Sequence, residues 1–406
     1  MQQGILSGMR VVEAAAFVAA PLGGMTLAQM GADVIRIDPP GGGLDHRRWP
    51  VSDDGTSLFW CGLNKHKRSV VLDLSQPQGR EIAQALVTAP GPDGGLFVTN
   101  FPARGWLAHE ALSAKRPDLI QLTLQGDRHG GSAVDYTVNA TLGLPLMTGA
   151  SDSEAPVNHV LPAWDLITGQ MVATGLLAAE RHRQRTGQGQ HVKLALTDVG
   201  LAVMQHLGFI AEAEQGRPRQ RHGNELFGAF GRDFVCADGV RVMLVGLTGK
   251  QWRSLCEALS LQAAVDALGQ RLGLDLSLEG DRFQARSELA ALVRPWLASR
   301  SFAQVRAALD THGVCWSRYQ SVDELVRTDP ECSPANPLFG RVEQAGVGPM
   351  LVAGSPLRFE APGRVPAAGA PVLGQHTEQV LCELLGIGSA EYGRLHERGI
   401  AGLRQA

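Results

Sequence analysis

Asp165 is the residue of this chain whose type and surroundings most suggest chemistry. Pro162 breaks the chain before it, and an apolar run through Leu176, Leu177 and Ala179 follows. Arg181, His182, Arg183 and Arg185 close that run, and Gly187 comes next. The pattern predicts a helix over 165–186, capped by Asp165 and stopped at Gly187 in a left-handed conformation. A carboxylate at a helix start sees the positive end of the macrodipole, which favours its ionised form. Such a group could attack an activated carbonyl, a thioester for example. The plainer role for a helix-start aspartate is capping alone.

Two basic clusters are the next feature, His46-Arg47-Arg48 and, after Asn64, Lys65-His66-Lys67-Arg68. A ligand bearing a diphosphate and a further phosphate needs two or three cations nearby. A lone basic run is otherwise a solvated surface. Net charge is −3, so nothing draws the whole chain to nucleic acid or to an acidic membrane. No G-x-G-x-x-G follows the first strand, and no P-loop, G-x-S-x-G or H-E-x-x-H occurs. The six cysteines are scattered singly, without a C-x-x-C or metal-ligand spacing. That usage points to reduced thiols in a cytoplasm and to no metal site. The N-terminal residues lack the charged and apolar regions of a signal peptide, and no apolar run reaches the roughly 20 residues of a membrane span.

These residues must be held by a layered fold. Residues 9–18 read as a buried strand, Pro21 as a helix start, and ADVIRID as a second strand ending at Asp38. Further strands are expected at Ser69–Leu74, Gly95–Thr99 and Leu119–Leu124, with helices at Gln78–Thr88 and Ala108–Lys115 between them. Alternation of this kind predicts an α/β fold with a Rossmann-like parallel sheet. The expected organisation is a large domain over 1–210, a linker over 211–233, a small α+β domain over 234–328, and a return segment over 329–406 that packs on the large domain. A last helix starts near Glu378.

Several ordered stretches resemble the class III coenzyme A transferases. They are AAFVAAPLGGMTLAQMGADVIRIDPPGGG, NKHKRSVVLDLSQPQG, LFVTNFPARGWL, PAWDLITGQMVATGLLAAERHRQRTGQGQHV, GSPLRF and PVLGQHTEQVLCELLG. The resemblance spans nearly the whole chain and is weakest in the small domain. It implies that Asp165 is the nucleophile. It places coenzyme A contacts near Phe17, Val18, Pro39, Asn64, Lys67, Arg68, Asn100 and Phe101, with a further stretch at Asp135, Tyr136 and Thr137. It also implies an interlocked homodimer, a CoA thioester as the small-molecule partner, and no tightly bound cofactor.

A racemase branch of the same superfamily needs a histidine about thirty residues before the aspartate. Ser132-Ala133-Val134-Asp135-Tyr136 stands there instead, which favours transfer over proton exchange. The small domain lacks the glycine run of the formyl-transferring branch. VDYTVN, LGLPLMTG, VNHVLPAWD and FGAFGRDF look instead like the branch that shifts CoA between the C1 and C4 carboxylates of mesaconate. The expected chemistry is an aspartyl anhydride followed by an aspartyl-CoA thioester. Exchange between two molecules, with succinyl-CoA as donor, is the alternative. Asn158, His159 and Arg232 are candidates for the distal carboxylate. Backbone N–H groups at the helix start or in 223–231 are candidates for the oxyanion.

Overall fold

The computed structural model describes residues 4–403. Six strands form one parallel sheet: β1 (Arg10–Ala14), β2 (Asp33–Asp38), β3 (Arg68–Val71), β4 (Leu96–Thr99), β5 (Ile120–Gln125) and β6 (Gln190–Ala195). Their order is β3-β2-β1-β4-β5-β6, and every neighbouring pair is parallel. This is the Rossmann-like sheet that the alternation predicts. Its order reverses between β1 and β4, where the crevice beyond the strand ends is the usual ligand position.

One strand expectation needs correction, and one strand was not expected. β1 ends at Ala14 rather than running on to residue 18, because Phe17 adopts a left-handed φ of 70° and Val18 already caps a helix. β6 carries no apolar run, since as an edge strand it is only partly buried. Sequence periodicity therefore passed over it.

The helices up to the middle of the chain are α1 (Ala19–Ala28), α2 (Leu58–Leu63), α3 (Pro77–Val87), α4 (His109–Ser113), α5 (Asp135–Thr141), α6 (Leu144–Met147), α7 (Ala163–Thr186) and α8 (Leu196–His206). Successive strand residues face opposite sides of the sheet. Val12, Ile35, Val70 and Phe97 pack with α3 and the C-terminal helices Thr377–Leu385 and Ser389–Glu397. Val11, Val34, Val98 and Leu122 pack with α1 and α7. α7 ends as expected, with Gly187 at φ 72°. One side of α7 is buried; Ile167 and Met171 on the other are exposed.

The chain divides into two compact units. The first holds the parallel sheet and consists of the residues up to Leu142, then Val160–Gly208, then those from Asp329 on. The second consists of Gly143–His159 and Phe209–Thr328. Its antiparallel sheet has the order β7 (Phe230–Val235), β8 (Arg241–Gly246), β9 (Cys315–Arg318). Its core is built on Phe230, Leu244, Trp252, Leu289 and Leu297. Segment 143–159 is fastened within this unit by the Arg221 guanidinium, which donates to the carbonyls of Leu146, Ser153 and Ala155.

Candidate active site

The ends of β1 and β4 are laced together at the point where the strand order reverses. Asn100 Oδ1 accepts the Ala16 N–H at 3.1 Å, and Asn100 Nδ2 donates to the Ala16 carbonyl at 2.8 Å. The Thr99 hydroxyl donates to the Ala14 carbonyl at 2.8 Å. The next residue, Phe17, has its N–H held by Asp45 Oδ1 at 2.8 Å. That carboxylate is itself pinned by Arg36 at 2.9 Å. Phe17, Val18, Asn100 and Phe101 are thereby brought together at the switch point.

Arg36 organises what lies behind this edge. It is 1% exposed and bonds Glu13, Asp38, Asn64 and Asp45. Burial works against its charge, but Asp38, Glu13 and Asp45 together hold its pKa above the usual value. Lys67 is in the same cluster, with Nζ at 2.9 Å from both Glu13 oxygens, 2.8 Å from the Pro21 carbonyl and 2.9 Å from Asn64 Oδ1. Burial lowers its pKa to about 8, against the pull of Glu13. Of the residues expected near the coenzyme, Lys67 and Asn64 are buried here and turn their side chains to protein partners. His46 is also withdrawn from the basic cluster. It stacks on Trp60 at 3.6 Å, and burial followed by Arg36 takes its pKa down to about 4, so it is neutral at pH 7.

Two glycines set α7 against α1. A Cβ on Gly169 would lie 2.8 Å from Leu22 Cδ2 and 2.9 Å from the Ala19 carbonyl oxygen. A Cβ on Gly23 would lie 2.5 Å from Val172 Cγ1. Residue 19 thus meets 169 and residue 23 meets 172, so the helices run side by side with their N-terminal ends together. Asp165 lies one turn before Gly169. It therefore comes to the switch point beside Phe17 and Val18.

Asp165 is not the N-cap. α7 begins at Ala163, with Pro162 at the cap position and no side-chain cap bond there. The capping is supplied from α5. Asp135 Oδ2 accepts the Trp164 N–H at 2.7 Å and the Asp165 N–H at 3.0 Å. Trp164 Nε1 donates to Asn139 Oδ1 at 3.2 Å, which ties the same two helices together. With the cap provided by Asp135, the Asp165 carboxylate accepts no hydrogen bond among the described residues.

Nor does the dipole keep Asp165 ionised in the way expected. Its pKa is raised to about 7, first by burial and then by the Asp135 carboxylate, against the pull of Arg48. A helix terminus is worth about 0.3–1 kcal/mol. Each pKa unit is worth about 1.4 kcal/mol, so a rise of this size outweighs the dipole. The helix start also lacks free oxyanion donors. The N–H groups of Ala163 and Leu166 bond the Leu161 and Pro162 carbonyls, and those of Trp164 and Asp165 bond Asp135.

The remaining expected contacts are dispersed. Pro39 is exposed just past β2. Arg68 pairs with Asp33 and Glu383. Tyr136 is half exposed, and its hydroxyl donates to the Val160 carbonyl at 3.3 Å. Asn158, His159 and Arg232 belong to the second unit. There Arg232 pairs with Glu225, which Arg286 also grips. Sequence reasoning missed Arg36 and Glu13 as organisers. The one available signal was a charge set between apolar residues inside each of two strands, Glu13 in RVVEA and Arg36 in DVIRID. Among the described residues there is no group of three or more His, Cys, Asp or Glu fit to hold a metal, and no helix is long and apolar enough to cross a membrane.

Fold and site together define a Rossmann-type protein with a partly buried carboxylate beside its switch point. Residues 6–377 match CoA-transferase family III. The chain belongs to that family, as its sequence resemblance implied. It is 59% identical over 402 residues to a 2-methylfumaryl-CoA isomerase of Chloroflexus aurantiacus, covering 98% of each chain. It is 30% identical to a succinate–glutarate CoA-transferase of Agrobacterium fabrum, covering 93% of this chain and 95% of the other. Among solved structures it is similar to a CAIB/BAIF family protein from Brucella suis, with a TM-score of 0.75 at 26% identity, covering 94% and 100%.

Proposed function

We propose that this enzyme moves coenzyme A within one molecule of mesaconyl-CoA (2-methylfumaryl-CoA), from the C1 to the C4 carboxylate, with Asp165 as the nucleophile. The observation that carries the reading is the Asp165 carboxylate itself. It is partly buried, unbonded at its oxygens, and held in place by Asp135 through the backbone. The likeness to the isomerase over 98% of both chains names the substrate.

The ionised Asp165 oxygen attacks the C1 thioester carbonyl, and the C–S bond breaks to give a mixed anhydride and the CoA thiolate. The thiolate attacks the aspartyl carbonyl, giving an aspartyl-CoA thioester and mesaconate. Mesaconate then attacks that thioester through its C4 carboxylate. The thiolate leaves once more and adds to the C4 carbonyl, which frees Asp165. No oxidation state changes, so the sequence as written needs no redox group. A carboxylate with a raised pKa is more basic than an ordinary aspartate, and near pH 7 a large fraction is ionised. Burial also lowers its hydration, which removes part of the cost of attack.

Retention of mesaconate between the two halves requires a closed pocket. Phe17, Val18, Asn100 and Phe101 at the switch point are proposed coenzyme contacts, with Pro39, Arg68 and Tyr136 as further ones. Asn158, His159 and Arg232, in the second unit, are the sequence's candidates for substrate contact. The working form proposed is an interlocked homodimer. The exposed apolar residues Ile167 and Met171 on α7, Leu201 on α8 and Leu207 at its end suit a face covered by a second copy. The cysteines are unpaired, which suits a reducing cytoplasm.

Incubation of mesaconyl-C1-CoA with labelled free mesaconate tests the intramolecular course. The expected C4 thioester carries no label. Label in that product would establish exchange between molecules, the reaction type named for several relatives at about this fold's distance, such as a succinyl-CoA:mesaconate CoA-transferase of Haloarcula hispanica at 29% identity.

A further inference from the structure

We propose that Arg48 is the residue that grips the free carboxylate of the substrate, and so selects a dicarboxylyl thioester over a monocarboxylyl one. The assignment rests on Asp165 being the nucleophile. The sequence alone groups Arg48 with a phosphate-binding cluster. In the fold two of the basic residues near it in sequence are withdrawn. Lys67 is buried in the ion network and His46 is stacked on Trp60.

Arg48 follows a short helical turn, Leu44–Arg47, and its side chain is exposed. The turn is anchored from beneath. Asp45, three residues before Arg48, is held by Arg36 and itself holds the Phe17 N–H. The Arg48 carbonyl accepts the Ser57 hydroxyl at 2.6 Å. The guanidinium carbon lies 5.9 Å from the Phe17 ring centre and 4.9 Å from that of Phe59. The backbone is thus pinned on two sides and the head rests against two aromatic faces.

Phe17 also links Arg48 to the nucleophile, because the packing of α1 on α7 brings residue 17 to the start of α7. The Arg48 charge is felt at the Asp165 carboxylate. Yet no ion pair closes on Arg48 among the described residues. A pre-oriented guanidinium whose charge reaches the nucleophile, without a carboxylate of its own, matches the planar fork that recognises a carboxylate in two bonds. The Phe17 and Phe59 rings beside it suit a flat, apolar carbon skeleton. An anionic substrate there would also place the thioester carbonyl, rather than the charged end, against Asp165.

The test uses two thioesters on the full-length enzyme. Methacrylyl-CoA has the thioester of mesaconyl-C1-CoA and lacks the C4 carboxylate. The rate of aspartyl-CoA formation is read by trapping and mass spectrometry of the Asp165 peptide. In wild type, mesaconyl-CoA is expected to react about 100-fold faster than methacrylyl-CoA, the scale of a charged hydrogen-bonded pair. R48M should lose about that factor with mesaconyl-CoA and change less than about threefold with methacrylyl-CoA. R48K, which keeps the charge and loses the fork, should fall between and guards against misfolding of R48M; a melting curve checks both. Equal losses with the two thioesters would assign Arg48 to the coenzyme or to the oxyanion and overturn the proposal. No loss would also overturn it. A wild-type enzyme that forms no adduct at Asp165 with either thioester would instead sink the nucleophile reading underneath.

Discussion

Asp135 holds Asp165 by the backbone and opposes it by charge. One carboxylate oxygen of Asp135 accepts the N–H groups of Trp164 and Asp165, so the first turn of α7 is capped from α5. The same carboxylate adds to burial in raising the Asp165 pKa to about 7. Asp135 thus positions the candidate nucleophile and, after burial, contributes to its raised pKa.

Activity should follow the ionised form of Asp165. kcat/KM is expected to rise with pH through about 7 in the wild type. Asp135→Asn removes the like charge while its side-chain oxygen still caps the helix. The rise should move to lower pH, with kcat retained in part. Asp135→Ala also removes the cap and should cost about 1 kcal/mol or more of stability. A pH–rate profile and a urea titration check the two effects separately. An unmoved profile in Asp135→Asn would contradict the pairing.

Asp165→Asn should abolish turnover and raise stability. In the unfolded chain the carboxyl ionises near its ordinary pKa of 3.8, whereas in the fold it holds its proton to about 7. The fold therefore loses stability as pH rises from about 4 to about 7, and no more beyond that. The asparagine lacks this loss. Its advantage should be absent at pH 4 and reach a ceiling of roughly 4 kcal/mol at pH 8, reduced by the partial exposure of the site. Denaturation of both proteins at the two pH values measures the widening gap.

Lys67→Met is expected to act on stability first. Nζ is buried against Glu13, Pro21 and Asn64, and removal of one member of a buried charge cluster costs about 3–5 kcal/mol. If Lys67 served only a coenzyme phosphate, the variant would fold as well as wild type and show only a raised KM.

Gly169→Ala should push α1 and α7 apart. Its methyl would meet Leu22 and the Ala19 carbonyl, at a cost of about 1–3 kcal/mol, and would shift Asp165 relative to Phe17. Activity should fall more than stability alone explains at a temperature where the variant remains folded. Gly62→Ala in α2, where a Cβ meets nothing within 4 Å, is the matched control.

The order of residues by itself determined the parallel α/β alternation, the family, and Asp165 near the start of the longest helix. The alternation and the helix depend on periodicities of 2 and 3.6 residues and on breakers such as Pro162 and Gly187, which act over a few neighbours, and the family on resemblance of ordered motifs. It could not show β6, whose edge position leaves it without an apolar run. Tertiary structure alone decided that Asp135 caps α7 from 30 residues away, that Lys67 is enclosed by Glu13 from 54 residues away, and that Arg48 stands by Phe17. Proton affinity and the availability of a charge are set by burial and by through-space partners. No local pattern encodes either, so a carboxylate that reads as an ionised cap becomes, once packed, a group that caps nothing and titrates near neutrality.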